Sequence, residues 1–225
     1  MTQGTAAARR RMQAMLVGWM AACLLALPVL AQAQAHPADD ASSRTVLVMG
    51  DSLSAGYGMS AAQGWVGLLA QRLQRDAPEW RVVNGSISGE TSAGGASRIV
   101  QTVVRERPEV VVIALGANDG LRGLPIAEAR RNLARMIGAS QHVGARVLLV
   151  GMRMPPNLGT DYTAGFEANY RLLAETFDVA LLPFLLEPIA TDRANFQDDN
   201  LHPTVEAQAK ILDHVWPALQ LLLQP

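Results

Sequence analysis

The chain predicts an α/β fold, a three-layer α/β/α sandwich on a five-stranded parallel sheet. Three observations lead there. Short apolar runs alternate with longer helical patterns, which is the rhythm of repeated βαβ units. The connections between them are short, and short connections with right-handed crossovers stack helices on both faces of one sheet. Beyond a leader, about 190 residues remain, enough for one domain with a full core.

In chain order, strands are expected at residues 45–49, 81–83, 110–115, 146–151 and 179–183. Helices are expected at about 63–76, 94–106, 125–142, 162–177 and 204–223, with Pro78 and Pro108 acting as stops. The N-terminus reads as a secretory signal over residues 1–35. Arg9, Arg10 and Arg11 precede an apolar core from Met12 to Leu30, and Ala31-Gln32-Ala33 or Ala33-Gln34-Ala35 supplies a small-residue cleavage site. Residues 36–44, rich in Ala, Pro, Asp and Ser, read as a flexible leader before a domain spanning 45–225. Export to the periplasm or beyond is therefore expected. Met20-Ala21-Ala22-Cys23 is a poor lipidation site, because the apolar run continues past it.

The first strand runs into Gly50-Asp51-Ser52-Leu53-Ser54, which presents a serine on a glycine-flanked turn. Three more segments follow: Asn84-Gly85-Ser86-Ile87-Ser88-Gly89-Glu90-Thr91, Gly116-Ala117-Asn118-Asp119-Gly120 and Asp199-Asn200-Leu201-His202-Pro203. Ser52, Gly89 and Asn118 fall on loops just past strand ends, where a parallel sheet gathers its sites. A serine hydroxyl needs a base within hydrogen-bond reach, and the base needs an orienting carboxylate. His202 and Asp199 suit those roles: an Asp three residues back on a short turn can reach Nδ1, leaving Nε2 for Ser52. The backbone N–H groups of Ser52 and Gly89 and the side-chain amide of Asn118 are the expected oxyanion donors. Any one of these residues alone reads as ordinary turn chemistry; together they describe one mechanism.

With these residues in view, the chain resembles the SGNH, or GDSL, hydrolases, named for the Ser, Gly, Asn and His of four blocks that occur here in order. It is most similar to the bacterial periplasmic acyl hydrolases that act as thioesterase, lysophospholipase and arylesterase. Gly50 to Gly58, Asn118 to Gly123 and Leu181-Leu182-Pro183-Phe184 carry that closer likeness. The resemblance implies the flavodoxin-like strand order 2-1-3-4-5 and selects Asp199 over Asp198 through the D-x-x-H spacing. Ala117 is a departure, since many relatives carry glycine there; the change removes neither donor nor nucleophile.

The expected activity is a serine acyl hydrolase cleaving aryl esters and medium-to-long acyl esters or thioesters through an acyl-enzyme. A carbohydrate acetylesterase and a noncatalytic periplasmic binder are the rival readings. Leu121, Leu124, Pro125, Met154, Pro155 and Leu158 lie on apolar loops expected to rim an acyl groove; their alternative role is to seal the core. Asp51 is expected to brace the turn rather than act as a second acid. Asn84-Gly85-Ser86 matches the glycosylation pattern but sits beside the expected site. His36, His142 and His214 are expected to be structural or solvated. No metal or cofactor is expected: cleavage would remove Cys23, the only cysteine, and no P-loop or dinucleotide fingerprint occurs. Residues 1–35 hold three Arg and no acid, so 16 basic and 20 acidic residues remain, a net charge of −4. That balance offers no stripe for nucleic acid and no lasting membrane anchor. With 5% aromatic residues and no broad recognition surface implied, a monomer is expected.

Overall fold

In the computed structural model, residues 44–224 are described, all within the unit Asp40–Pro225. The expected signal segment and nearly all of the leader lie outside them. The strands are β1 (Arg44–Gly50), β2 (Trp80–Asn84), β3 (Val110–Ala114), β4 (Arg146–Val150) and β5 (Ala180–Leu182). All pair in parallel, in the order β2-β1-β3-β4-β5. The central strands β1 and β3 are buried almost throughout, as continuous apolar runs covered on both faces must be. Each of Val46, Leu47, Val48 and Met49 is wholly buried, which stabilises by about 1.5–3 kcal/mol per side chain. The edge strands β2 and β5 are only partly buried.

The helices are α1 (Ser52–Ala55), α2 (Trp65–Asp76), α3 (Ser92–Glu106), α4 (Ala117–Leu121), α5 (Ile126–His142), α6 (Thr160–Phe177) and α7 (Gln208–Leu223). Helix α2 packs with α7, while α3, α5 and α6 pack in series, giving the two outer layers. Three local expectations are corrected. Asn118 lies not on an open loop but in the second position of α4, and Ser52 opens the single turn α1. Helix α3 begins at Ser92 rather than at 94, because the Asp119 carboxylate accepts the Ser92 N–H at 2.7 Å and caps the extra turn. Helix α7 begins at Gln208 rather than at 204; residues before it form a turn, and the Gln208 side chain accepts the Trp65 N–H at 2.9 Å.

The register places Gly50 beside Ala114, so β1 and β3 end level. Backbone bonds from Gly85 N–H to Val48 C=O (2.8 Å) and from Ile87 N–H to Gly50 C=O (3.0 Å) carry the chain after β2 along the end of β1. Sheet pairing thereby brings the segments after β1, β2 and β3 to one edge.

Candidate active site

The turn that carries Ser52 is tight because Asp51 caps it. Its carboxylate accepts the Leu53 N–H at 3.0 Å, its carbonyl accepts from Ser54 (3.1 Å) and Ala55 (2.9 Å), and Gly56 in the left-handed region ends the turn. The Asn84 amide donates to Ser54 C=O at 2.9 Å and its oxygen accepts the Ser86 N–H at 3.1 Å. The amide nitrogen of the apparent glycosylation sequence is thus occupied in tying two loops together.

Histidine and its carboxylate share one short loop. An antiparallel bridge between Phe196 and Pro203 closes it, and Gln197 N–H donates to His202 C=O at 2.8 Å. Asp199 Oδ1 accepts the N–H groups of Leu201 (2.9 Å) and His202 (3.0 Å), and Oδ2 lies 2.6 Å from His202 Nδ1. Those bonds, the His202 N–H first, hold Asp199 down at about 2, so it is an anion that can only accept. Nδ1 must then carry the proton, which leaves Nε2 to accept from the Ser52 hydroxyl 2.8 Å away. Asp198 is exposed and bonds neither ring nitrogen.

Gly89 adopts φ +79°, so its turn needs glycine, and a Cβ there would meet nothing within 4 Å. Among the described residues neither the Ser52 nor the Gly89 N–H has a partner. The Asn118 amide donates to Glu90 C=O at 3.0 Å, while its other hydrogen faces Asp51 Oδ2 at only 3.4 Å. That second contact is long and weak, which leaves the hydrogen available to another acceptor. At the base of α4, Gly116 has φ +122° and an added Cβ would lie 2.1 Å from the Tyr170 hydroxyl. The buried Tyr170 donates to Leu115 C=O at 2.9 Å, and burial pushes its phenol well above the ordinary range.

Asp51 itself is 1% exposed. Burial pushes its carboxyl up to about 6, against the opposing pull of the Leu53 N–H and of His202. Among the described residues no cluster of His, Cys, Asp or Glu could hold a metal ion.

Of the rim residues expected from sequence, Leu121, Pro125 and Pro155 are exposed and Leu124 and Leu158 half-buried. Met154 differs: it is 9% exposed and packs under α4, where a Cβ on Gly120 would meet its sulfur at 2.1 Å. It seals the core rather than opening onto solvent. Several contributors went unread in the sequence. The Tyr57 ring, half-exposed, lies 4.2 Å from the His202 ring at a 32° tilt. Gln197 Nε2 donates at 2.9 Å both to Tyr57 C=O and to Pro203 C=O, bridging the serine and histidine segments. Asp119 accepts from the Ser92 hydroxyl at 2.5 Å, joining α4 to α3. Only the first hints at itself, through the Gly56-Tyr57-Gly58 stretch beside the serine.

A parallel α/β/α sheet with serine, histidine and carboxylate gathered at its strand ends defines a serine ester hydrolase. The chain belongs to the GDSL-like Lipase/Acylhydrolase family, whose model matches residues 48–210. It is 45% identical to the esterase TesA of Pseudomonas aeruginosa, over 81% of this chain and 91% of that protein. It is 43% identical to an arylesterase of Vibrio mimicus (77% and 87% covered). It is 41% identical to thioesterase 1/protease 1/lysophospholipase L1 of Escherichia coli K12 (80% and 85%). Among solved structures, TesA superimposes with TM-score 0.78 at 46% identity, covering 80% of this chain and all of that one. Esterase EstA from Pseudoalteromonas sp., inhibited by monoethylphosphonate, gives 0.77 at 35% identity, covering 80% and 99%. The chain is thus a serine acyl hydrolase acting on small-molecule esters, and among its described residues no helix is long and apolar enough to cross a membrane.

Proposed function

We propose that Ser52, His202 and Asp199 are the catalytic triad, and that the Ser52 and Gly89 N–H groups with the Asn118 amide form the oxyanion hole. The observation that carries this reading is the chain of contacts from Asp199 Oδ2 to His202 Nδ1 (2.6 Å) and from His202 Nε2 to Ser52 Oγ (2.8 Å). As Ser52 attacks an acyl carbonyl, His202 takes its proton and Asp199 steadies the imidazolium. The three donors hold the oxyanion; the tetrahedral intermediate collapses as His202 protonates the leaving group. Water, deprotonated by His202, then releases the acid from the acyl-enzyme.

The substrates on this reading are aryl esters and medium-to-long acyl esters or thioesters. The relatives' names support that range, and exposed or half-buried Leu121, Leu124, Pro125, Pro155 and Leu158 supply an apolar rim. Export to the periplasm, removal of residues 1–35 and a monomeric state complete the proposal; the arginine-led apolar segment supports the first two. The test is hydrolysis of p-nitrophenyl esters from acetate to palmitate, with lauroyl-CoA beside them, by the mature protein and by Ser52→Ala. The variant is expected to lose about a thousandfold or more in kcat while folding normally. Comparable rates in both proteins would remove Ser52 from the chemistry, and rates that peak at acetate and vanish by octanoate would remove the acyl groove.

A further inference from the structure

The segment holding Gly89 is a surface loop, yet two of the three oxyanion donors depend on it. Gly89 supplies one directly, and the Asn118 amide is aimed by its 3.0 Å bond to the carbonyl of the next residue, Glu90. What holds Glu90 therefore holds both donors in register with Ser52.

Glu90 is held from beneath. Its side chain is 7% exposed and lies against Gly94 in the first turn of α3, where a Cβ would approach its Cγ to 2.8 Å. Arg98, one turn further along α3 and 24% exposed, meets the carboxylate with a two-pronged fork: Nε donates to Oε1 at 2.7 Å and Nη2 donates to Oε2. The remaining Nη1 rests on Met49 Sδ at 3.5 Å, in the strand that delivers Ser52. A nearly buried carboxylate stripped of its guanidinium is strongly disfavoured, and the loop can relieve it by moving outward into water. The fork fixes direction as well as charge, which a lysine ammonium does not.

We propose that Arg98 and Glu90 are positioning residues for the oxyanion hole: the part-buried ion pair sets the height of the Gly89–Glu90 turn, and through it the aim of the Gly89 N–H and the Asn118 amide. The proposal rests on the oxyanion role of those two donors. The two charged groups bond each other and neither bonds Ser52 or His202. Their effect falls on the transition state, because the donors they aim are needed only once negative charge has developed on the carbonyl oxygen.

The experiment compares wild type, Arg98→Met, Arg98→Lys, Ser52→Ala and Val103→Ala. The last removes buried methyl groups five residues further along the same helix, without touching either charge, as a stability control. Each is measured for kcat and KM on p-nitrophenyl butyrate, for inactivation by a p-nitrophenyl alkylphosphonate, and for thermal melting. Arg98→Met is expected to lose about ten- to a hundredfold in kcat with KM within about twofold, and to slow phosphonate inactivation by the same factor. Arg98→Lys is expected to recover part of that loss, and Val103→Ala to melt lower with kcat nearly unchanged. A kcat for Arg98→Met within about twofold of the Val103→Ala control, or a loss confined to KM, overturns the positioning role. Should Arg98→Met not fold, Arg98→Lys decides alone: wild-type kcat sinks the proposal, and a kcat loss without a KM change supports it. Ser52→Ala separates the two levels, since an active serine variant would remove the mechanism beneath the proposal. An inactive serine variant beside a normal Arg98→Met would remove only the positioning role.

Discussion

Two carboxylates face the Ser52–His202 pair from different regions, and the protein treats them in opposite ways. Asp51, in the Ser52 turn, is 1% exposed, takes one backbone N–H and a weak amide contact, and is pushed up to about 6. Asp199, in the histidine loop, has a side chain 41% exposed, takes two backbone N–H groups and the imidazole, and is held at about 2. The residue nearer to the serine in sequence is thus the poorer anion. Position beside the serine does not decide a carboxyl's charge; solvent access and the number of donors aimed at it decide whether it can keep one.

The comparison breaks first at the histidine loop. Asp199→Asn, which leaves the shape but removes the charge and the preference for the Nδ1–H tautomer, is expected to lower kcat by about a hundredfold or more. Asp198→Asn, its exposed neighbour, is expected to stay within about twofold, measured on the same ester. Equal losses, or none, would undo the distinction drawn between the two aspartates. Because Asp199 stays ionised down to about pH 2, loss of activity at mildly acid pH is not its doing.

Asp51 should reveal itself in stability. Its folded value of about 6 lies above the ordinary 3.8, so between those values the folded state binds the extra proton and stability falls as pH rises. Above pH 6 the full penalty is present, and below pH 4 it has gone. Asp51→Asn is therefore expected to be more stable than wild type at pH 8, by up to about 3 kcal/mol, with the advantage fading by pH 4. Urea denaturation at both pH values reads this directly. An equal change at the two pH values would show that lost hydrogen bonds, not charge burial, dominate at this residue.

The smallest expected effect concerns the joint between the regions. Gln197→Met keeps length and removes both donors that connect Tyr57 C=O to Pro203 C=O, and is expected to lower kcat by about tenfold with little change in melting. An unchanged kcat would mean that the Phe196–Pro203 bridge alone holds the histidine loop in place.

Much of this architecture is legible in the sequence because burial on both faces writes β1 and β3 as unbroken apolar runs, and because the four site segments follow strand ends in order. Helices α1 and α4 are not legible: at four and five residues they are too short to show a period. The inward turn of Met154 depends on the missing side chain of Gly120, 34 positions earlier, which no local pattern reports. The same holds for Asp119 with Ser92 and for Gln197 with Tyr57, bonds that span 27 and 140 positions. Arg98 and Glu90, only eight apart, straddle the boundary between loop and helix, where neither strand nor helix spacing pairs them.

Ser52 and His202 are separated by 150 positions, with strands β2 to β5 between them and α7 the one described helix after them. On the proposed mechanism, a growing chain that already carries Ser52 therefore has no base to activate it until residue 202 has arrived. On that mechanism hydrolysis is withheld from every intermediate that ends before His202, and ester turnover becomes a sensitive gauge of whether the histidine loop has been made and has closed onto the serine.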